Sequence, residues 1–124
     1  MPTHSTAVRN GVADFVVDQL DLGTTNATGA IVLNTAGDVE VATLLFSNPA
    51  FGASAAGVAT AAAIADDTSA TGGTTTKCQL VDRDGTVVVE GTVGTSGTDI
   101  ILSTNVIPVG ATVELTALTY TAPA

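Results

Sequence analysis

One histidine, His4, and one cysteine, Cys78, are the side chains from which a nucleophile and its base would have to be built. His4 lies in the N-terminal tail, and a general base works only with a nucleophile or carboxylate within hydrogen-bond reach. Cys78 stands between Lys77 and Gln79 in a strand-like run, the setting of a small buried thiol rather than an activated thiolate. A single cysteine closes no internal disulfide and gives no metal-ligand spacing. Two acidic pairs, Asp66-Asp67 and Asp82-x-Asp84-Gly85, could offer oxygen to a hard cation such as calcium. The second opens like an EF-hand loop but lacks the third oxygen ligand and the distal glutamate. Aspartate at such positions also closes Asx-turns on its own backbone, the reading that the neighbouring turn residues favour. The glycine-rich run Gly91-Thr92-Val93-Gly94-Thr95-Ser96-Gly97 is followed by neither lysine nor helix, so it is no phosphate cradle. Asn26-Ala27-Thr28 matches a glycosylation acceptor, which matters only on a secretory route. Paired carboxylates acting on sugars need a cleft with aromatic platforms, and the aromatics are three phenylalanines and one tyrosine. No catalytic residue, metal or cofactor is expected, and the chain is expected not to be an enzyme.

Charge narrows the partners. Three basic residues against twelve acidic ones give a net charge of -9 over 124 residues. That balance opposes contacts with phosphate, so neither nucleic acid nor an anionic membrane is an expected partner. Hydrophobic residues make up 45% of the chain and charged ones 12%, which excludes disorder of the charged, apolar-poor kind. The longest uncharged stretch, Val41 to Ala65, is interrupted by Asn48-Pro49, Gly52 and Gly57 and is too broken for a spanning helix. No basic flank leads into an apolar run at the N-terminus, so no signal peptide is expected.

The elements that must position these residues divide the chain in two. Residues 1–23 read as a tail and an amphipathic helix, in which Val8, Val12, Phe15, Val16 and Leu20 fall on one stripe of period 3.6. Ser5 or Thr6 is the expected N-cap, and Gly23 the expected stop. Gly11 weakens the helix by about 1 kcal/mol against alanine, and Asp18 and Asp21 stand at the wrong end of its dipole. Such a helix must be held by docking, as a lid on the core or as a contact arm. Residues 30–124 alternate short runs of valine, isoleucine and threonine with turn residues every eight to twelve positions. Strands are expected near Ala30–Asn34, Val39–Ser47, Gly57–Ile64, Thr74–Val81, Thr86–Thr92, Asp99–Ser103 and Thr112–Thr121. Asp84-Gly85 joins the fourth and fifth as a hairpin, and the last pattern slips near Ala117-Leu118 as at a bulge or strand end. The fold class expected is mainly β: one domain, an antiparallel β-sandwich or jelly roll of about seven to eight strands with one N-terminal α-helix. Alanine and threonine bury little area, so a core of this composition gains from neighbours that cover its remaining apolar surface.

Several segments in order resemble a group of small virion proteins of tailed bacteriophages. They are Ser5-Thr6-Ala7-Val8-Arg9-Asn10, Phe46-Ser47-Asn48-Pro49-Ala50-Phe51-Gly52, Ala65-Asp66-Asp67-Thr68-Ser69-Ala70-Thr71-Gly72 and Val81-Asp82-Arg83-Asp84-Gly85-Thr86. The Gly91–Gly97 run and Pro108-Val109-Gly110-Ala111-Thr112-Val113 complete the set. The resemblance implies a non-enzymatic structural protein, most simply a capsid decoration or cement protein on the outer surface of the major capsid protein lattice. It further implies a homo-oligomer, with a trimer favoured, assembled in the host bacterial cytoplasm. A tail or head–tail connector component is the alternative, and a free-standing adhesion module a more distant one. The residues expected at a partner interface are Val8, Val12 and Phe15 on the helix with Asn48, Pro49 and Phe51 in the following loop. Phe51 beside a rigid proline reads either as a low-entropy anchor or as core.

Overall fold

The computed structural model of the chain describes residues 3–115 and 117–122. It is mainly β with one N-terminal helix. Helix α1 spans Thr6–Asp18, with Ser5 Oγ accepting from the Val8 amide at 3.3 Å. It stops at Asp18, well before Gly23, and passes into a 3₁₀ turn over Gln19–Asp21. Nine strands follow among the described residues: β1 Ala30–Asn34, β2 Glu40–Leu45, β3 Val58–Thr60, β4 Gly73–Thr74, β5 Lys77–Val81, β6 Val87–Gly94, β7 Ile100–Ile101, β8 Val106–Ile107 and β9 Thr119–Thr121.

Five of these form the main sheet in the order β2-β1-β5-β6-β7, while β3-β9 and β4-β8 are separate two-stranded pairs. The main sheet is antiparallel except at its β7 edge, where Val93 pairs with Ile100 in parallel. Register fixes which side chains share a face. Ile31 and Leu33 stand opposite Leu44 and Ala42 on one flank and Leu80 and Cys78 on the other. All six are buried and join Leu20, Phe46, Phe51 and Ala59 in the core. On the reverse face, Val32 lies between Thr43 and Gln79, all half-buried, and Leu45 is exposed. The β3-β9 and β4-β8 pairs have strands of only three and two residues, too short for a full opposing sheet.

The differences from the expected strands have local causes. The Gly57–Ile64 segment gives only three strand residues, because the chain turns off at Ala61 to bridge Phe51, and Ala62 donates to the Ala50 carbonyl at 2.9 Å. Its alanines have little strand preference of their own. The Thr74–Val81 run breaks at Thr75, whose hydroxyl is buried and donates to the Asn34 carbonyl at 3.1 Å. The Thr112–Thr121 run changes partner midway: Val113 pairs with Asp67, and pairing resumes only at Thr119, against β3. Thr116, in that run, lies outside the described residues.

The hairpin at Asp82–Gly85 forms as its residues predict. Asp82 Oδ1 accepts from the Asp84 and Thr86 amides, each at 2.9 Å, and Gly85 takes φ +84°, where a side chain would be strained. Asp84 then reaches outward, and its Oδ1 accepts from the Thr24 and Thr25 amides at 2.9 Å. The carboxylate, together with Arg83, whose carbonyl accepts from Asn26 and whose Nε donates to the Asn26 carbonyl, staples the hairpin to the 23–28 loop.

Two outcomes follow. Leu33→Ala, which empties a site at the centre of the sheet, should cost about 2–5 kcal/mol in denaturant unfolding. For Asp84 the two amide hydrogen bonds hold the carboxyl below its ordinary pKa. Because the folded-state value is the depressed one, the stabilisation is present above the unfolded pKa and is lost as pH falls through the folded one. Asp84→Asn mimics the protonated acid, so its melting temperature should lie below wild type at neutral pH and converge with it in acid.

Candidate interaction surface

Helix α1 and the 3₁₀ turn that continues it carry two apolar stripes of identical spacing. Val8, Val12 and Phe15 are four and three residues apart, and so are Ala13, Val17 and Leu20. The core takes the second. Ala13, Val17 and Leu20 are buried, whereas Val8, Val12 and Phe15 are 48%, 39% and 67% exposed. The stripe read as either the core face of a lid or a contact arm therefore faces solvent along most of its length, and only Leu20 of that set is buried. Polar contacts fix this rotation. Asp14 Oδ1 accepts from the Ser54 amide at 2.8 Å, and Asn10 Oδ1 accepts from the Gly57 amide at 2.8 Å. The Ser54 hydroxyl donates to the Asn10 carbonyl at 3.0 Å. Turning the first stripe inward would strand these partners, at about 1–3 kcal/mol for each buried group left unpaired.

Arg9 completes the docking. Its guanidinium lies over Gly57, where a Cβ would stand 2.8 Å from Cζ, and Gly57 itself takes φ +78°. Only glycine satisfies both the conformation and the approach. The helix is therefore a lid by its polar flank and an open apolar crest on its far side.

The loop after β2 divides as sharply. Asn48 and Pro49 are exposed, joined by a cis peptide bond. Asn48 Nδ2 donates to the Ala27 carbonyl at 3.3 Å, and the Ala50 amide donates to Asp21 Oδ1 at 2.8 Å, tying the loop to the turn that follows α1. Phe51 is 5% exposed, with its ring 5.6 Å from that of Phe46. Of its two readings, the core one describes this conformation. The six residues thus separate into an exposed set on the helix and loop and one core ring.

Three of the carboxylates weighed for chemistry, Asp67, Asp82 and Asp84, are occupied by backbone amides. Asp67 accepts from the Thr43 and Ser69 amides at 2.9 Å, as Asp82 and Asp84 do from theirs. Among the described residues no group of histidine, cysteine and carboxylate side chains is arranged to hold a metal ion. No helix of the described residues is long and apolar enough to cross a membrane. Cys78 is buried on the inner face of β5, where Gly91 opposite leaves room for its Sγ and for the Asp99 carboxylate. Burial first, then the charge of Asp99, pushes the thiol up to about 11. It borders a cavity of about 380 Å³ between the main sheet and β9, lined also by Leu80, Ile100, Leu118 and Tyr120.

Sequence reasoning missed a second exposed feature. Ala30, Val32, Leu45 and Val81 line a shallow depression of about 410 Å³ on the reverse sheet face, walled by residues 26–28. Thr43 and Gln79, alternating with apolar positions, carried the signal that this face is half-wet.

At pH 8 the folded protein should react with a thiol reagent about a hundredfold or more slowly than the unfolded chain, whose cysteine has an ordinary pKa near 8.5. Labelling at matching rates in buffer and in denaturant would contradict the buried thiol. No family model, no curated protein and no solved structure matches this chain.

Proposed function

We propose that the protein is a non-enzymatic structural component of a tailed-bacteriophage virion, a capsid decoration protein that binds the outer surface of the major capsid protein lattice and stabilises the head. The observation that carries this reading is the solvent-facing crest of Val8, Val12 and Phe15. Wholly burying a valine or phenylalanine is worth about 1.5–3 kcal/mol, so covering three part-exposed ones contributes a few kcal/mol per copy. Repeated over a lattice, modest contacts add to a large resistance to rupture. The ordered motifs resembling small virion proteins support the same reading, as does a net charge of -9, which suits a site outside a DNA-filled interior.

On this reading the curled main sheet with β3-β9 laid across it is a reduced β-sandwich, and the exposed Asn48-Pro49 tip adds a rigid edge to the contact. Copies self-associate on the capsid exterior after synthesis in the bacterial cytoplasm. The carboxylates serve as caps for backbone amides, and the thiol is kept neutral in the core.

Purified protein mixed with emptied, expanded capsids of its phage should co-sediment with them and raise their disruption temperature. Val12→Asp with Phe15→Asp alters only exposed positions, so the fold should persist while the gain disappears. Equal disruption temperatures with and without wild-type protein would overturn the proposal. A ratio to the major capsid protein of a few rings rather than hundreds of copies would move the protein to the tail or connector.

A further inference from the structure

We propose that an extended segment of another protein, alternating aliphatic and basic side chains, adds as a strand along the open margin of β6, in the slot between β6 and β9. The slot is bounded on both sides by backbone that no strand of this chain pairs.

On β6, the Val93 amide donates to the Thr76 carbonyl at 3.0 Å on the β5 side, whereas the Thr92 amide turns away from β5 to Asp99 Oδ2 at 2.8 Å. Backbone groups alternate sides along a strand, so Glu90 presents its N–H and C=O on the same side as Thr92. β7 covers that margin only at Val93 and Gly94, and Asp99 covers the Thr92 amide. Glu90 has no backbone partner there among the described residues. On β9, the Leu118 carbonyl accepts from the Ala61 amide and the Ala122 amide donates to the Gly57 carbonyl, each at 2.8 Å. Even-numbered residues thus bond toward β3, and Thr119 and Thr121 face the other way, again unpaired among the described residues. The cavity of about 380 Å³ lies between these two margins, lined by Val89, Glu90 and Gly91 from one and by residues 118–121 from the other.

What such a slot takes follows from its chemistry. An unpaired strand margin is complemented by an extended backbone, and pockets at alternate positions read the side chains. Register places Val89 and Gly91 opposite Leu80 and Cys78 on the core face, and Glu90 opposite Gln79 on the outer one. In an antiparallel addition, the stronger pairing, a residue level with Glu90 exchanges both hydrogen bonds with it and shares its outer face. The residues on either side of it point into the cavity, among Leu80, Ile100 and Leu118, where aliphatic side chains fit. Level with Glu90 a cation fits, because the lining holds two carboxylates, Glu90 and Asp99, and no basic side chain. A second copy of this chain, with net charge -9 and three basic residues, is the poorer complement. The slot shares no residue with the α1 crest, so it stands or falls apart from the virion reading.

The probe is the synthetic peptide acetyl-Thr-Val-Lys-Val-Thr-amide, titrated into the full chain to about 1 mM, a range suited to so short a strand. Saturable chemical-shift changes should centre on Val89, Glu90, Gly91 and residues 118–121, with exchange of the Glu90 amide slowed severalfold. Glutamate in place of the lysine should weaken binding about fivefold. Methylating the lysine amide removes the donor to the Glu90 carbonyl and should abolish binding. Glu90→Pro, its folding checked by circular dichroism, removes only an outward N–H, which edge strands tolerate, and should also lose the peptide; the methylated peptide tests the same bond on the wild-type fold. No saturable change at that concentration, changes centred on α1, a methylated peptide that binds as well as its parent (an apolar pocket only), or a glutamate peptide that binds as well would each overturn the proposal.

Discussion

The rotation of α1 is set by the hydrogen bonds that Asn10 and Asp14 make to Ser54 and Gly57, and much of the outer surface follows from it. A helix bearing two equivalent apolar stripes has two comparable ways to lie on a core. Area alone favours the larger side chains inward. The backbone amides of Ser54 and Gly57 and the Ser54 hydroxyl need partners, however, and only the polar flank between the stripes supplies them. Ala13 then allows close approach where phenylalanine would not fit, and the bulky stripe is left outside. A polar requirement of a few kcal/mol thereby determines where the apolar surface of the molecule lies.

The same economy of cations runs through the fold. Asp14, Asp21, Asp67, Asp82, Asp84 and Asp99 each accept a backbone amide hydrogen. The ion pair between Lys77 and Asp38 is exposed, at 3.1 Å, where such pairs contribute little. Carboxylates here act as caps for loops that regular ladders leave unsatisfied. This is why an acidic chain with three basic residues needs no compensating charge in its interior.

Local chemistry was legible in the sequence, and long-range choice was not. The Asp82–Gly85 turn, the Ser5 cap, β1 and β5 were readable because their signals lie within a few residues. The helix was readable, but its rotation was not: both stripes have the same period, and the deciding partners, Ser54 and Gly57, are some forty residues away. Thr112–Thr121 alternates like one strand, yet its ends pair with different segments, a choice made by Asp67 and β3 rather than by the run itself. β8, at two residues, is too short to leave a periodic signal. The residues expected at an interface on the helix and at Asn48-Pro49 are exposed, while Phe51 packs against Phe46, a distinction that composition cannot make for a phenylalanine two residues from a proline.

The 65–72 segment has a consequence for how the chain behaves before it meets any partner. It runs along the outer edge of β2, where the Ala65 amide donates to the Leu45 carbonyl, the Gly72 amide to Val41, and Asp67 takes the Thr43 amide. Glu40 of β2 pins it by accepting from the Thr71 hydroxyl at 2.6 Å. An open strand margin is the usual template for runaway backbone-to-backbone growth into fibres. With that margin sealed, the β2 side of the sheet offers no backbone template for another chain to extend.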